Sequence, residues 1–288
     1  MSTEAPPVAL VTGATSGIGE ITARDLARYG YHVVLLARNA DKAELSRRAI
    51  ARVAGPDRVS VVLCDLSDLE QVRRAATEFQ ATYPRLDLLI NNAGLLFGTP
   101  RQVSKQGFEM TLATNHLGHF LLTALLLDHL RRSPAARVIN VASMGYKMAK
   151  PRLDDLNQER GYSPMRQYAN TKLYNILFTQ ELARRLRERN IQNVITHSLH
   201  PGVVATGFGQ QSGGLLGWGV KLARPFLLSP EKGAETTLFL ALDPAAGNSS
   251  GGFFAKKRAE PVQHPFNTPE NVQALWEQSE QMVGQRFF

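Results

Sequence analysis

Short apolar runs alternate along this chain with longer segments in which apolar residues recur every three or four positions. Val8–Val11, Tyr31–Ala37, Val59–Leu63, Leu86–Ile90, Arg137–Ala142, Val194–Leu199 and Gly251–Ala255 have the length and content of buried strands. Helical patterns lie between them. The first carries Ile21, Ala23, Leu26 and Ala27 and ends at Gly30. Others cover Asp41–Val53, a stretch from near Asp68 to about Tyr83, Phe108–Leu130 with an irregular start, a helix from Tyr168 through Leu186, Glu231–Leu242 and Val272–Met282. Met144–Gln167 is polar and mixed and reads mainly as loop. The order β-α-β-α-β-α-β up to Ile90 predicts an α/β protein with a doubly wound parallel sheet of about seven strands, helices on both faces. No linker, repeat or composition break divides the chain, so one domain over residues 1–288 is expected.

Composition narrows the function classes. The chain is 43% hydrophobic and 20% charged, as in soluble globular proteins. A net charge of +8 raises nucleic acid, an anionic membrane surface or an anionic small ligand as partners. The pairs Arg47-Arg48, Arg73-Arg74, Arg131-Arg132 and Arg184-Arg185 fall mostly on amphipathic helices, and no basic tail or zinc-finger spacing joins them. Nucleic acid is therefore set aside. Cys64 is the only cysteine, which excludes an intrachain disulfide and a cysteine-rich metal site. Met1–Pro7 shows no signal-peptide pattern, and the longest apolar stretch, Phe120–Leu127, falls short of the roughly 20 residues that span a bilayer. The expectation is a cytoplasmic protein without a transmembrane segment.

Candidate chemistry collects where the strands end. Thr12-Gly13-Ala14-Thr15-Ser16-Gly17-Ile18-Gly19 joins the first strand to the first helix. Glycines there let the backbone approach a phosphate, and the helix N-terminus offers free N–H groups. The spacing is T-G-x-x-x-G-x-G, not G-x-G-x-x-G. In such folds the end of the second strand lies by the adenosine ribose, where an acid suits the 2′-hydroxyl of NAD and a cation suits a 2′-phosphate. Ala37 offers no acid and Arg38 supplies the cation. Asp65 either holds the adenine edge or caps the helix that starts near Asp68. Asn91-Asn92-Ala93-Gly94 closes the fourth strand. Tyr168 and Lys172, four apart, share one helix face. A free phenol, with a pKa of about 10, is a poor acid or base at neutrality, and an ammonium one turn away lowers that value. His116 and His119 stand at helical spacing with no clear acid or third histidine, so a structural role is expected and no metal.

Taken in order, Thr12-Gly13…Gly17-Ile18-Gly19, Asn91-Asn92-Ala93-Gly94, Asn115, Ser143, Tyr168…Lys172 and Pro201-Gly202 resemble the short-chain dehydrogenase/reductase family, from Val8 to about Ala255. Asn115-His116-Leu117-Gly118-His119-Phe120, the long insert after Ser143 and the run Tyr168–Thr179 resemble its retinol dehydrogenase-like branch. The resemblance implies a three-layer Rossmann fold. It implies Tyr168 as acid in reduction and base in oxidation, and Lys172 as the group that lowers its pKa and binds the nicotinamide ribose. Ser143 would hydrogen-bond the substrate oxygen, and Asn115 would bind a water relaying protons to Lys172. It also implies cofactor contacts from Thr12, Gly13, Thr15, Ser16, Gly17, Ile18, Gly19, Arg38, Asp65, Leu66, Asn91, Ala93, Gly94, Tyr168, Lys172, Pro201, Gly202, Val204 and Thr206.

The expected reaction is hydride transfer between NADP(H), with NAD(H) as the lesser cofactor, and a hydrophobic carbonyl/alcohol substrate: an aldehyde, ketone, retinoid-like or steroid-like molecule. A segment at about 206–230, apolar around Trp218, would cover that substrate, and Lys221 and Arg224 leave peripheral membrane contact open. A homodimer or homotetramer through the two long helices is implied. The rival is a non-catalytic NADP-binding sensor or scaffold, which would not need Ser143, Tyr168 and Lys172 together.

Overall fold

The structure is a computed structural model that describes residues 5–202 and 228–288. The elements in chain order begin β1 (Val8–Thr12), α1 (Gly17–Arg28), β2 (His32–Ala37), α2 (Ala40–Ala54), β3 (Val59–Leu63), α3 (Leu69–Thr82) and β4 (Leu88–Asn91). They continue with α4 (Met110–Arg131), β5 (Ala136–Val141), α5 (Pro164–Glu188), β6 (Val194–His200), α6 (Pro230–Leu242), β7 (Phe253–Ala255), β8 (Arg258–Glu260) and α7 (Pro269–Val283). One sheet runs β3-β2-β1-β4-β5-β6-β7-β8. It is parallel from β3 to β7, and β8 returns antiparallel beside β7.

Side chains alternate across this sheet into two apolar layers. Leu10, Val34, Leu36, Leu89 and Val138 face a layer closed by α3, α4, α5 and α7. Val11, Val33, Leu35, Ile90 and Ile139 face a layer closed by α1, α2 and α6. Burial on both faces is why these strands appear in the sequence as unbroken apolar runs. The fold is the three-layer α/β Rossmann arrangement.

Three departures from the sequence reading have local causes. The described residues hold eight strands, where about seven are expected. Arg258–Glu260 is exposed and carries no apolar pattern, and only its ladder to β7 makes it a strand. Helix α5 begins at Pro164, whose preset φ suits the first helical turn. The expected loop before it contains short three-ten turns at Met144–Met148 and Leu153–Asp155. Helix α4 begins at Met110, where the Glu109 carboxylate accepts the Leu112 amide at 2.8 Å. Its irregular start is a π-helical segment, Ala113–Leu117. Among the described residues α4 alone is long and apolar enough to cross a bilayer by length and composition, longer than Phe120–Leu127 suggests. Yet 89% of its apolar window is buried inside the protein, as in a core helix.

Helix α7 lies over α4 and α5. The Trp276 ring centroid is 5.2 Å from Phe120, 5.8 Å from Phe178 and 4.7 Å from Phe287. The Arg185 guanidinium sits 4.6 Å over the same ring. Trp276→Ala should therefore cost about 3–5 kcal/mol of stability in urea unfolding. Val53→Ala, on an exposed face of α2, should stay within about 0.5 kcal/mol. Similar small losses for both would show that α7 is not part of the core.

Candidate active site

The carboxyl ends of β1 and β4 meet at the glycine turn. Gly13 and Gly17 take positive φ, +63° and +56°, which glycine adopts without strain. A Cβ on Gly19 would lie 2.4 Å from the Gly13 carbonyl oxygen and 2.4 Å from Asn92 Nδ2, so this turn closes only on a hydrogen. Ser16 precedes α1 in extended conformation, and its side chain makes no capping bond to the helix N–H groups. Those N–H groups, the positive end of the α1 dipole and a turn without side chains fit a pyrophosphate. Thr15 and Ile18 belong to the same turn. Leu66 is buried after β3, where its carbonyl would lie 2.3 Å from a Cβ on Gly118, so α4 passes close above it.

Two adjacent asparagines divide the work at the end of β4. Asn91 is 1% exposed, and its amide donates to Thr123 Oγ1 at 3.0 Å and Asn140 Oδ1 at 2.8 Å, inside the layer under α4 and α5. Asn91 was expected to line the cofactor; its side chain is engaged inside, so its backbone is the part left at the edge. Asn92, which the sequence reading passed over, binds the turn instead. Its Nδ2 donates to the Thr12 carbonyl at 2.8 Å, and the Asn92 and Ala93 amides both donate to Thr12 Oγ1 at 2.9 Å. The doubled asparagine was the available signal, since neighbouring side chains on a strand point to opposite faces.

At the end of β2, Arg38 is exposed and pairs with Asp65 at 3.9 Å. Asp65 also accepts from the Ser67 amide and hydroxyl, at 2.9 and 2.7 Å. The helix cap considered for it falls to Asp68, which accepts from the Glu70 amide at 3.2 Å.

Ser143, at the end of β5, hydrogen-bonds Tyr168 and accepts from the Gly145 amide at 3.1 Å. A Cβ on Gly145 would sit 3.3 Å from Ser143 Oγ and 3.8 Å from Tyr168 Cε1, so the glycine keeps the space beside both groups clear. Lys172 is 3% exposed, donates to the Val141 carbonyl at 2.9 Å and holds its ammonium 5.5 Å from the Tyr168 ring centroid. Gly94 faces it, since a Cβ there would come 3.0 Å from Lys172 Nζ. Asn115 lies next to them in the π segment. Its Oδ1 accepts the Leu95 amide at 2.9 Å, and its Nδ2 donates to the Leu95 carbonyl at 2.9 Å and to Thr171 Oγ1 at 3.3 Å. Pro201 and Gly202 follow β6, with Gly202 at φ +89°. Beside them His200, another residue not singled out in the sequence, ends β6 with a buried Nδ1 that has no partner among the described residues. Val204, Thr206 and Trp218 lie outside the described residues.

A profile of the short chain dehydrogenase family matches residues 7–213. The chain belongs to this family. It is 39% identical over 277 residues to Retinol dehydrogenase 11 of Mus musculus, covering 96% of this chain and 86% of that one, which sets it in the retinol dehydrogenase-like branch. It resembles the crystal structure of an uncharacterized protein from Mycobacterium Paratuberculosis with TM-score 0.77 and 33% identity, over 98% of this chain and 95% of that one. The 3-ketoacyl-(acyl-carrier-protein) reductase from Brucella melitensis, solved with NADH, has TM-score 0.66 and 26% identity, over 86% of this chain and 95% of that one. This short-chain dehydrogenase is therefore an oxidoreductase that acts on CH–OH groups with a nicotinamide cofactor.

Burial dominates the electrostatics of this dehydrogenase. In the protein alone, burial pushes the Tyr168 phenol up to about 12, and the Ser143 hydrogen bond is what opposes it. Burial also brings the Lys172 ammonium down to about 8. The lysine does not set the direction of the tyrosine shift, because withdrawal from water outweighs a charge that points at a backbone carbonyl. His200 is held below its ordinary range by burial and by the positive charge of Lys172.

Lys172 makes a pH signature. The unfolded chain holds this proton up to its ordinary value of 10.5 and the folded chain only to about 8. Between these values the unfolded state binds more protons, so stability rises with pH across that window, and below it the penalty is present in full. Relative to Lys172→Met, the wild-type protein should gain on the order of 3 kcal/mol as pH rises from 8 to 10.5. Urea unfolding of both proteins at about pH 7.5 and about pH 10 checks this, and a pH-independent difference would contradict it.

Proposed function

We propose that the protein is an NADP(H)-preferring oxidoreductase for hydrophobic carbonyl/alcohol pairs, acting as one unit over residues 1–288 in the cytoplasm. The observation that carries this reading is the meeting of Ser143, Tyr168 and Lys172 beside a glycine cradle on the same sheet edge. When bound, the nicotinamide gives or takes the hydride. Tyr168, protonated at neutral pH, gives its proton to the substrate oxygen in reduction, and Ser143 donates a hydrogen bond to that oxygen as charge grows on it. In oxidation Tyr168 must first lose its proton, so with a phenol pushed up to about 12 this direction gains with rising pH. Lys172, beside Gly94, is in place to hold ribose hydroxyls and to offset the phenolate. Asn115 fixes Leu95, which follows Gly94.

A hydrophobic substrate is supported by the apolar Leu95 and Met144, chain neighbours of Gly94 and Ser143, and by the retinol dehydrogenase relative. The covering role of about 206–230 belongs to the same proposal. Self-association as a dimer or tetramer, also proposed, uses surfaces other than the Phe120 and Phe178 face, because α7 covers it. NADP(H) is preferred because Arg38 is exposed at the end of β2, held by Asp65 alone at 3.9 Å among the described residues, while Ala37 offers no carboxylate to a ribose hydroxyl.

Two experiments test the proposal. Tyr168→Phe should fold and bind NADPH, yet lose about 10²–10⁴-fold in single-turnover hydride transfer to a carbonyl found by panel screening. Turnover within a few-fold of wild type would remove the tyrosine from the mechanism. For the cofactor, kcat/KM with NADPH should exceed that with NADH by roughly 10- to 150-fold, the worth of one charge-assisted contact. The double substitution Ala37→Asp/Arg38→Ala should reverse the preference, and equal use of both cofactors by the wild type would count against the assignment.

A further inference from the structure

Asn115 lies inside the π segment, and two side-chain donors converge on its carbonyl. Asn175 Nδ2 on α5 lies 2.9 Å away and His119 Nδ1 lies 3.2 Å away. Behind Asn175, its Oδ1 is 3.1 Å from His116 Nδ1, and His116 Nε2 is 2.9 Å from Ser279 Oγ on α7. Behind His119, Nε2 is 2.9 Å from Thr12 Oγ1 at the glycine turn. None of these six residues is more than 4% exposed.

The partners assign the protons. The Asn175 amide nitrogen must face the carbonyl, so its oxygen faces His116, whose Nδ1 therefore carries the hydrogen. Burial keeps both imidazoles neutral at ordinary pH, which leaves each Nε2 as an acceptor. Thr12 Oγ1 already accepts the Asn92 and Ala93 amides, and its own proton has the nearer acceptor in His119 at 2.9 Å, with the Ile90 carbonyl at 3.4 Å. The Ser279 hydroxyl is shared between His116 and the Leu275 carbonyl at 2.7 Å. The His116, Asn175 and His119 donors thus point the same way, toward one oxygen, and such chains strengthen one another in a dry interior. The far side of Asn115 grips both Leu95 and Thr171, and Thr171 Oγ1 donates to the Tyr168 carbonyl at 2.8 Å.

We infer that His116, Asn175 and Ser279 are positioning residues, through which docking of the C-terminal helix α7 sets Asn115 and the Gly94–Leu95 backbone for catalysis. Ser279 lies beyond the family match at 7–213. The inference rests on the oxidoreductase reading for its kinetic consequence and on the fold alone for its structural one.

The experiment reads both. His116→Phe keeps the aromatic neighbours Phe120, Tyr174 and Phe178 and removes both hydrogen bonds, whereas Ser279→Ala removes one hydroxyl. Amide hydrogen exchange at Leu95, whose N–H is held by Asn115, should quicken about 10-fold in each variant under conditions where both stay folded. In steady-state NADPH oxidation with a panel carbonyl, His116→Phe should lose about 10-fold in kcat with KM within about twofold, a misplacement effect. Ser279→Ala should lose a few-fold, and the double variant should be no slower than His116→Phe, since the chain is already cut. Unchanged Leu95 exchange in both variants, or losses that multiply in the double variant, would overturn the inference. If no carbonyl is turned over by any of the proteins, the proposed hydrophobic-carbonyl activity fails while Leu95 exchange still decides the positioning role. If His116→Phe does not fold, Ser279→Ala alone carries the decision.

Discussion

Strands β1 to β6 are covered by helices on both faces, and from this the rest of the molecule follows. A sheet with two dry faces has no room on them for water, phosphate or a reacting alcohol. Polar chemistry is pushed to the carboxyl edge, where each strand ends in a loop. The glycine turn, Arg38, Asp65, Asn92 to Gly94, Ser143 and Pro201-Gly202 all lie on that edge. Helix α5 brings Tyr168 and Lys172 to it from one layer, and α1 brings its dipole from the other. The topology that buries the core therefore also gathers the site.

The dry surroundings act on the catalytic groups themselves. Tyr168 is driven toward its neutral form and Lys172 away from its charged form, both by loss of water. A tyrosine that keeps its proton is ready as an acid. Making it a base takes compensating interactions, of which Ser143 supplies one within the protein. The lysine instead spends a hydrogen bond on the Val141 carbonyl, so it is held in a fixed place beside Gly94 while its charge stays partly suppressed.

Asn115 shows how the same dryness shapes the framework. The accepting capacity of its carbonyl is met by Asn175 and His119, and its side chain is engaged with Leu95 and Thr171. One lone pair of Oδ1 remains for a relay water of the kind the family resemblance implies, fewer than an unencumbered asparagine would offer. The two histidines that stood out at helical spacing have a structural use: they carry hydrogen bonds from the glycine turn and from α7 to that carbonyl.

The strand positions, the parallel order and the glycine turn were legible from the sequence because each is a local consequence of burial or backbone geometry. Double burial writes continuous apolar runs, and a phosphate cradle needs glycine. Tyr168 and Lys172 could be placed on one helix face from their spacing alone. Strand β8 could not be foreseen, because Arg258–Glu260 is a strand only through its partner β7. The division between Asn91 and Asn92 depended on which face of the sheet each met. The π segment at Ala113–Leu117 has no local signature, and its His116 finds a partner in Ser279, 163 positions further along the chain. The direction of the Tyr168 shift was decided by tertiary burial, since spacing reports which charge is near but not how much water has been removed.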